Sequence, residues 1–291
     1  MGYSFEIITD STANLPEDMI ETYGLHILTL SFLVEGKEYK GYEKGKKVDL
    51  NQFYGMMREK KNITTSLANS QDAYDMAKPL LEAGKDILYI GFSSGLSSTF
   101  QAVTVALKEL KEEFPNQKIY YIDSLSAALG EGLFVKYIID LREEGKSIDE
   151  VYEWGMKNRL HIVHAFTVDD LFFLKRGGRV SATTAVIGTA LNVKPVLHVD
   201  DEGHLIPLNN VRGRRKSLDA LVNLMEKSIQ NPDGQTIYIS HGDCVQDAEY
   251  VAERVKEKFS IKDIMIRTLD PVIGAHSGPG TVALFFYGEN R

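Results

Sequence analysis

Serines and glycines crowd the stretch Gly91-Phe92-Ser93-Ser94-Gly95-Leu96-Ser97-Ser98. The apolar run Ile87-Leu88-Tyr89-Ile90 precedes it, and a helix-like run from Thr99 to Glu113 follows. The hydroxyls therefore sit at a strand-to-helix turn. The first turn of a helix leaves backbone N–H groups unpaired, and its dipole favours negative charge. Such a corner suits a carboxylate or a phosphate. The same residues also match G-x-S-x-G, the nucleophile elbow of serine hydrolases, with Ser93 as nucleophile. A third reading is a plain Gly/Ser turn. The pattern alone leaves all three open.

Two further groups add to this chemistry. Thr64-Thr65-Ser66 is a hydroxyl cluster that can fix a carboxylate without adding charge, or can simply connect two helices. Gly274 to Gly280 reads as a glycine-rich loop carrying His276, an imidazole able to donate to an anion and tunable in charge. A hydrolase would need His276 and an acid such as Asp243 or Asp270 to converge on Ser93. The other histidines lack metal-site spacing, so no metal is expected. No P-loop and no dinucleotide fingerprint occurs, so no cofactor is expected either.

Two basic clusters stand against an acidic background: Lys175-Arg176-Gly177-Gly178-Arg179 and Arg212-Gly213-Arg214-Arg215-Lys216. The second opens a helix, where the dipole disfavours cations. Charge placed there points to a partner, either phosphate or an acidic protein face. Neither cluster is interleaved with aromatics, and the net charge is −8. Nucleic acid is therefore not expected as a partner.

The elements that must position these groups alternate. Strands at 87–92 and 118–122 and helices at 99–113 and 125–143 give the βαβα order of a parallel sheet covered by helices. Earlier, Phe5–Ile8 reads as a strand, Ile27–Val34 as one continuous strand, and Glu35-Gly36 as a hairpin turn. Asp49 is placed to cap a helix to about Lys60. Later come strands at 161–168, 195–199, 205–209, 236–241, 263–268 and 282–286, with helices at 169–175, 182–191, 215–229 and 246–258. The expectation is an α/β protein of two lobes, residues 1–158 and 159–291, with the ligand in the cleft between them. A chain of 291 residues with 43% hydrophobic content is ample for that. The single cysteine, Cys244, allows no internal disulfide, and the start of the chain shows no basic and apolar leader. Both favour a cytoplasmic setting. No apolar run is long enough to span a bilayer.

Six ordered segments carry a resemblance: Asp10-Ser11-Thr12, Thr64-Thr65-Ser66, Ser93 to Ser97, Leu174 to Arg179, Arg212-Gly213-Arg214, and Gly274 to Gly280. In this order the chain resembles the DegV-like fatty-acid-binding proteins of bacteria. The resemblance implies a two-lobed α/β carrier, not an enzyme, that holds one long-chain fatty acid. It assigns the carboxylate to Thr65 and Ser97, with Ser66, Ser94 and His276 beside them. It implies a separate ATP-dependent kinase subunit as partner, which makes an acyl phosphate for phospholipid synthesis. Arg176, Arg212, Arg214 and Arg215 are candidates for the kinase face or the new phosphate. A transient membrane surface is a further partner. Phe166, Ile187 and Leu191 are candidate walls for the acyl chain. The family commonly has Gln-Pro where this chain has Leu67-Ala68-Asn69.

Overall fold

The structure is a computed structural model, which describes residues 3–181, 192–289 and 291. Strands β1 (Phe5–Asp10), β2 (His26–Leu28), β6 (Asp86–Gly91) and β7 (Ile119–Asp123) form a parallel sheet in the order β2-β1-β6-β7. Their apolar residues, including Ile7, Leu88, Tyr89 and Ile90, are wholly buried. Strands covered on both faces need such continuous apolar runs. Helices α1 (Glu17–Thr22), α3 (Ser70–Glu82) and α4 (Thr99–Glu113) lie between the strands of this sheet, and α5 (Leu129–Glu143) and α6 (Ile148–Asn158) follow β7 and lead to the next sheet. Capping boxes at Asn69/Asp72 and Ser147/Glu150 start α3 and α6, satisfying orphan amides reciprocally.

Six strands build a second sheet. They are β8 (Ile162–Thr167), β9 (Val193–Val199), β10 (Leu205–Arg212), β11 (Thr236–His241), β12 (Asp263–Thr268) and β13 (Val282–Tyr287), in the order β10-β9-β8-β13-β11-β12. All pairs are antiparallel except β11–β12. Helices α8 (Arg214–Ser228) and α9 (Val245–Lys258) pack on one face through Leu218, Leu221, Val251 and Val255. The other face meets α5, whose Leu129, Leu133, Phe134 and Ile138 share one core with both sheets. Most residues of α5 are buried, which calls for apolar side chains on more than one of its faces.

The sequence-based reading needs three corrections, and one of its open alternatives is settled. Ile27–Val34 is not one strand. Ser11 Oγ accepts from Leu30 N at 3.0 Å and Leu30 O accepts from Gly41 N at 2.8 Å, which takes Leu30 out of any ladder. The chain then changes sheets: β3 (Ser31–Val34) joins β4 (Lys37–Lys40) and β5 (Ile63–Ser66) in a third, antiparallel sheet. Thr64-Thr65-Ser66 is thus strand, not a connector between helices. Helix α5 begins at Leu129, not 125. The loop before it holds Leu125 at φ +51° and Ala128 at φ +53°, ψ −144°, conformations no helix contains. The stretch from Pro271 is not a loop, because helix α10 (Pro271–Ser277) occupies it. Asp270 caps it by accepting from Val272 N at 2.8 Å and Ile273 N at 3.3 Å, and Pro271 suits its first turn.

The Glu35-Gly36 hairpin and the Asp49 cap of α2 (Leu50–Arg58) stand as expected. A short helix, α7 (Phe172–Arg176), follows β8. The helix expected at 182–191, with Ile187 and Leu191, lies outside the described residues.

Candidate functional site

A cleft of about 250 Å³ opens between the third sheet, the β6–α4 turn, α10 and the inner face of the six-stranded sheet. Most of its walls are apolar, including Phe92, Leu96, Phe166, Val199 and Phe285. The hydroxyls of Thr65, Ser66, Ser97 and Ser98 join them, together with His276 and Arg179. Five separate elements converge here, and each is fixed locally. Thr65 is set by the pairing Phe32↔Thr65 between β3 and β5. Ser97 sits where the chain turns into α4: its N–H donates to Ser93 O at 3.1 Å, and its Oγ accepts from Thr99 N at 3.2 Å.

His276 is the hinge of the polar wall. Its Nε2 lies 2.8 Å from Thr65 Oγ1, across 211 residues of chain. Burial, then Arg179 and Arg176, push its pKa down to about 4, so the ring is neutral at pH 7. A methyl group on Gly177 would stand 2.2 Å from its Nδ1; only glycine lets α7 lie against this ring. Arg179 follows in the same turn. Its Nε donates to Leu96 O at 3.1 Å and its Nη1 to Gly177 O. These bonds aim a half-buried guanidinium along the cleft wall. Together the wall offers hydroxyl donors, a neutral imidazole and one fixed cation, a set suited to a carboxylate.

Thr65, Ser66, Ser97, His276 and Phe166 therefore meet in one cleft. Ser94 stands outside its walls, and its N–H donates to Asp123 Oδ1 at 3.2 Å. Arg176 is exposed on α7, stacked over Phe173 at 5.3 Å, with Nη2 3.4 Å from Ala275 O. Arg212 ends the edge strand β10 and Arg215 stacks on Tyr250 at 3.7 Å; both are exposed. Arg214 is differently placed. Its Nε donates to Asp247 at 2.8 Å and its Nη1 lies 3.7 Å from Asp169. Those carboxylates balance the cation at the start of α8.

The hydrolase alternative is not assembled. Ser93 is fully buried, donates to Gly203 O at 2.8 Å and accepts from Gly95 N at 3.2 Å. His276 is bonded to Thr65, Asp270 caps α10, and Asp243 pairs with Arg58 at 2.6 Å. Among the described residues, no group of three or more His, Cys, Asp and Glu side chains is arranged to hold a metal, and no helix is long and apolar enough to cross a membrane.

Of the titratable side chains in the cleft, the sequence reading assigned His276 to the site and missed Arg179 and His164. Arg179 was visible only as part of a basic cluster. His164 is fixed by backbone on both sides: Nδ1 lies 3.1 Å from Ile162 O, and Ala127 N donates to Nε2 at 3.2 Å. That assigns the tautomer, with the proton on Nδ1.

An apolar cleft inside an α/β frame, with one polar wall, has the make-up of a site for a small amphipathic molecule. Comparison with known proteins supplies the family. The family model described as "Uncharacterised protein, DegV family" matches residues 4–289. A DegV domain-containing protein of Clostridium perfringens is 42% identical over 287 residues, covering 99% of this chain and 98% of its own. A fatty-acid-binding DegV family protein of Thermus thermophilus superimposes with a TM-score of 0.88 at 27% identity, covering 98% of this chain and all of that one. The crystal structure of a fatty-acid-binding DegV family protein of Streptococcus agalactiae gives 0.85 at 27% identity, over 99% of this chain and 100% of its own. The chain belongs to the DegV family.

Proposed function

We propose that this protein binds one long-chain fatty acid, with the acyl chain in the cleft and the carboxylate against Thr65, Ser97 and His276. Ser66 and Arg179 flank that position, and Ser94 supports it from the adjoining turn. The observation that carries this reading is the junction of an apolar cleft with the Thr65–His276 pair. The relatives that bind fatty acids support it. The energetics agree: about 0.8 kcal/mol per buried methylene gives on the order of 12 kcal/mol gross for about 16 carbons, less the ordering costs. The carboxylate contacts then mainly set direction.

The protein presents the bound acid to a separate ATP-dependent kinase and does no chemistry itself. Arg176, Arg212 and Arg215 are exposed and form the candidate kinase face, with Arg214 holding the start of α8 beneath them. Residues 1–158 and 159–291 are the two lobes that enclose the acid. Loading draws on a transient membrane contact in the cytoplasm. Native mass spectrometry of the purified protein tests the core reading. One co-purifying fatty acid near one-to-one occupancy is expected. A ligand-free protein that also refuses added fatty acid would overturn it.

A further inference from the structure

The function proposed above leaves two buried carboxyl groups without a role, Asp10 and Glu131. They belong to one hydrogen-bond chain whose protons can be counted. Asp10 Oδ1 accepts from Thr12 N at 3.0 Å and from the Thr12 hydroxyl. Asp10 Oδ2 accepts from Phe92 N at 2.9 Å and lies 3.5 Å from the Tyr89 hydroxyl. Burial raises the pKa of Asp10, and donors on both of its oxygens oppose that shift, so of the two carboxyl groups Asp10 is the better solvated as a carboxylate. Glu131 Oε1 accepts from the Thr9 hydroxyl at 3.3 Å, and Glu131 Oε2 lies 2.9 Å from Thr12 Oγ1.

The Thr12 hydroxyl therefore touches two carboxyl groups but carries one hydrogen. If it donates to Asp10, the contact with Glu131 has no proton unless Glu131 supplies one. An ionised Glu131 would set two unscreened acceptors against each other at full burial, which is costly. The charged and titratable groups that face Glu131 do not relieve this. Asp10 and Asp270 both act on it as negative charges, Tyr89 comes from β6, and the ring of His164 lies against Gly130. No cation is in ion-pair contact with Asp10 or Glu131 among the described residues. Glu131 lies in the first turn of α5, where the dipole favours a carboxylate; burial and Asp10 outweigh it and hold the group well above the usual carboxylate range.

We infer that Glu131 is kept as a neutral carboxylic acid donating to the Thr12 hydroxyl, and that this stored proton makes Glu131 a positioning residue for the turn that carries Phe92 and Ser97. The path is short. Glu131 donates to Thr12 Oγ1, Thr12 donates to Asp10, and Asp10 holds the amide of Phe92, a cleft wall. Loss of the proton leaves one hydroxyl for two carboxylates and places a second negative charge beside Asp10. The anchor of the turn weakens. The Asp10-Ser11-Thr12 segment is then a proton-locked strut between β1, α5 and the cleft. The consequence for lipid binding rests on the fatty-acid reading; the protonation itself does not.

Infrared spectroscopy of the full chain labelled with [13C]glutamate tests the proton directly, since Glu131 is the one buried glutamate among the described residues. At pH 7 a protonated [13C]carboxyl band is expected, absent from Glu131→Gln. A spectrum with ionised glutamates only would overturn the inference, and wild type alone decides this if the variant does not fold. Thr12→Val removes the relay hydroxyl. It is expected to speed exchange of bound [13C]palmitate by about tenfold, one hydrogen bond's worth; an unchanged rate would refute the positioning role. If wild type binds no palmitate, the lipid reading and the positioning role fail together, while the infrared result still decides the proton.

Discussion

Two imidazoles line the same cleft, His164 buried and His276 half-buried, and they are set in opposite ways. His164 has both nitrogens satisfied by backbone, from Ile162 and Ala127. His276 is bonded to the hydroxyl of another cleft residue and stands beside two guanidinium groups. Burial pushes both down, His164 to about 3 with help from Arg291, and His276 to about 4 with help from Arg179 and Arg176. A perturbed pKa therefore does not separate them. The partner does. A ring held by backbone on both sides has no hydrogen-bonding capacity left for a ligand. A ring held by a threonine hydroxyl can exchange or share that partner.

The largest effect that tests this contrast is steric. A methyl group at Gly130 would lie 2.2 Å from His164 Nε2, and the ring is locked by its two backbone bonds. Gly130→Ala is expected to cost about 3 kcal/mol in chemical denaturation. A loss under 1 kcal/mol would mean that His164 can move and is no fixed wall.

Acid comes next. Unfolded, each imidazole titrates near 6.5; folded, the two titrate near 3 and near 4. As pH falls below about 6.5 the unfolded chain takes up protons first. Stability is thus full above that pH and is lost toward the folded values, by up to about 1.4 kcal/mol per unit for each histidine. Asp270, raised to about 7 by burial, works the other way, with stability falling as pH rises from about 3.9 to 7. Variant differences isolate each group. Between pH 6 and 5, His164→Gln and His276→Gln should each flatten the wild-type slope. A bound fatty acid should flatten the share of His276 and leave that of His164, since only His276 gains an anionic neighbour. Equal response of both would break the comparison.

Much of this was legible in the sequence, and the losses have physical causes. The strand, serine turn and helix from Asp86 to Glu113 were readable because apolar run, turn and helix follow one another locally. The Glu35-Gly36 hairpin and the Asp49 cap were readable for the same reason. Pro271 to Gly280 misled because glycine and proline density signals a loop, while Asp270 and Pro271 also spell a helix start. Gly274 is needed there because a methyl group would stand 2.5 Å from Tyr54 Oη, a packing reason that composition does not show. The Thr65–His276 pair and the aim of Arg179 depend on folding across 211 and 83 residues. Spacing carries no information at that range.

Smaller changes probe the His276 side. Gly177→Ala sets a methyl group against Nδ1 of His276 and pushes the ring aside, and Thr65→Ala removes the partner of its Nε2. Each is expected to leave the fold intact, costing about 1 kcal/mol, and to speed fatty-acid exchange roughly fivefold. Thr65→Ser keeps the hydroxyl and should restore retention. If Ser fails where Thr works, methyl packing rather than the hydrogen bond sets the site.

The smallest effect on the protein itself separates two arginines read as alike in the sequence. Arg214 is tied to Asp247 and Asp169; Arg212 is exposed at the end of an edge strand, with no ion-pair partner within 4 Å among the described residues. Arg214→Gln leaves Asp247 unbalanced near the start of α8, while Asp169 keeps Lys194 at 2.8 Å, and should cost about 1 kcal/mol. Arg212→Ala should shift stability by less than about 0.5 kcal/mol, as surface changes do, and should leave fatty-acid retention unaltered. With a kinase of the kind proposed above added, the order should invert. Phosphorylation of the bound acid falls further in Arg212→Ala than in Arg214→Gln, because an exposed guanidinium is available to a partner and a paired one is not. Equal kinase turnover in both variants and wild type would take Arg212 off the kinase face and leave Arg176 and Arg215, stacked on Phe173 and Tyr250, as the cations to replace.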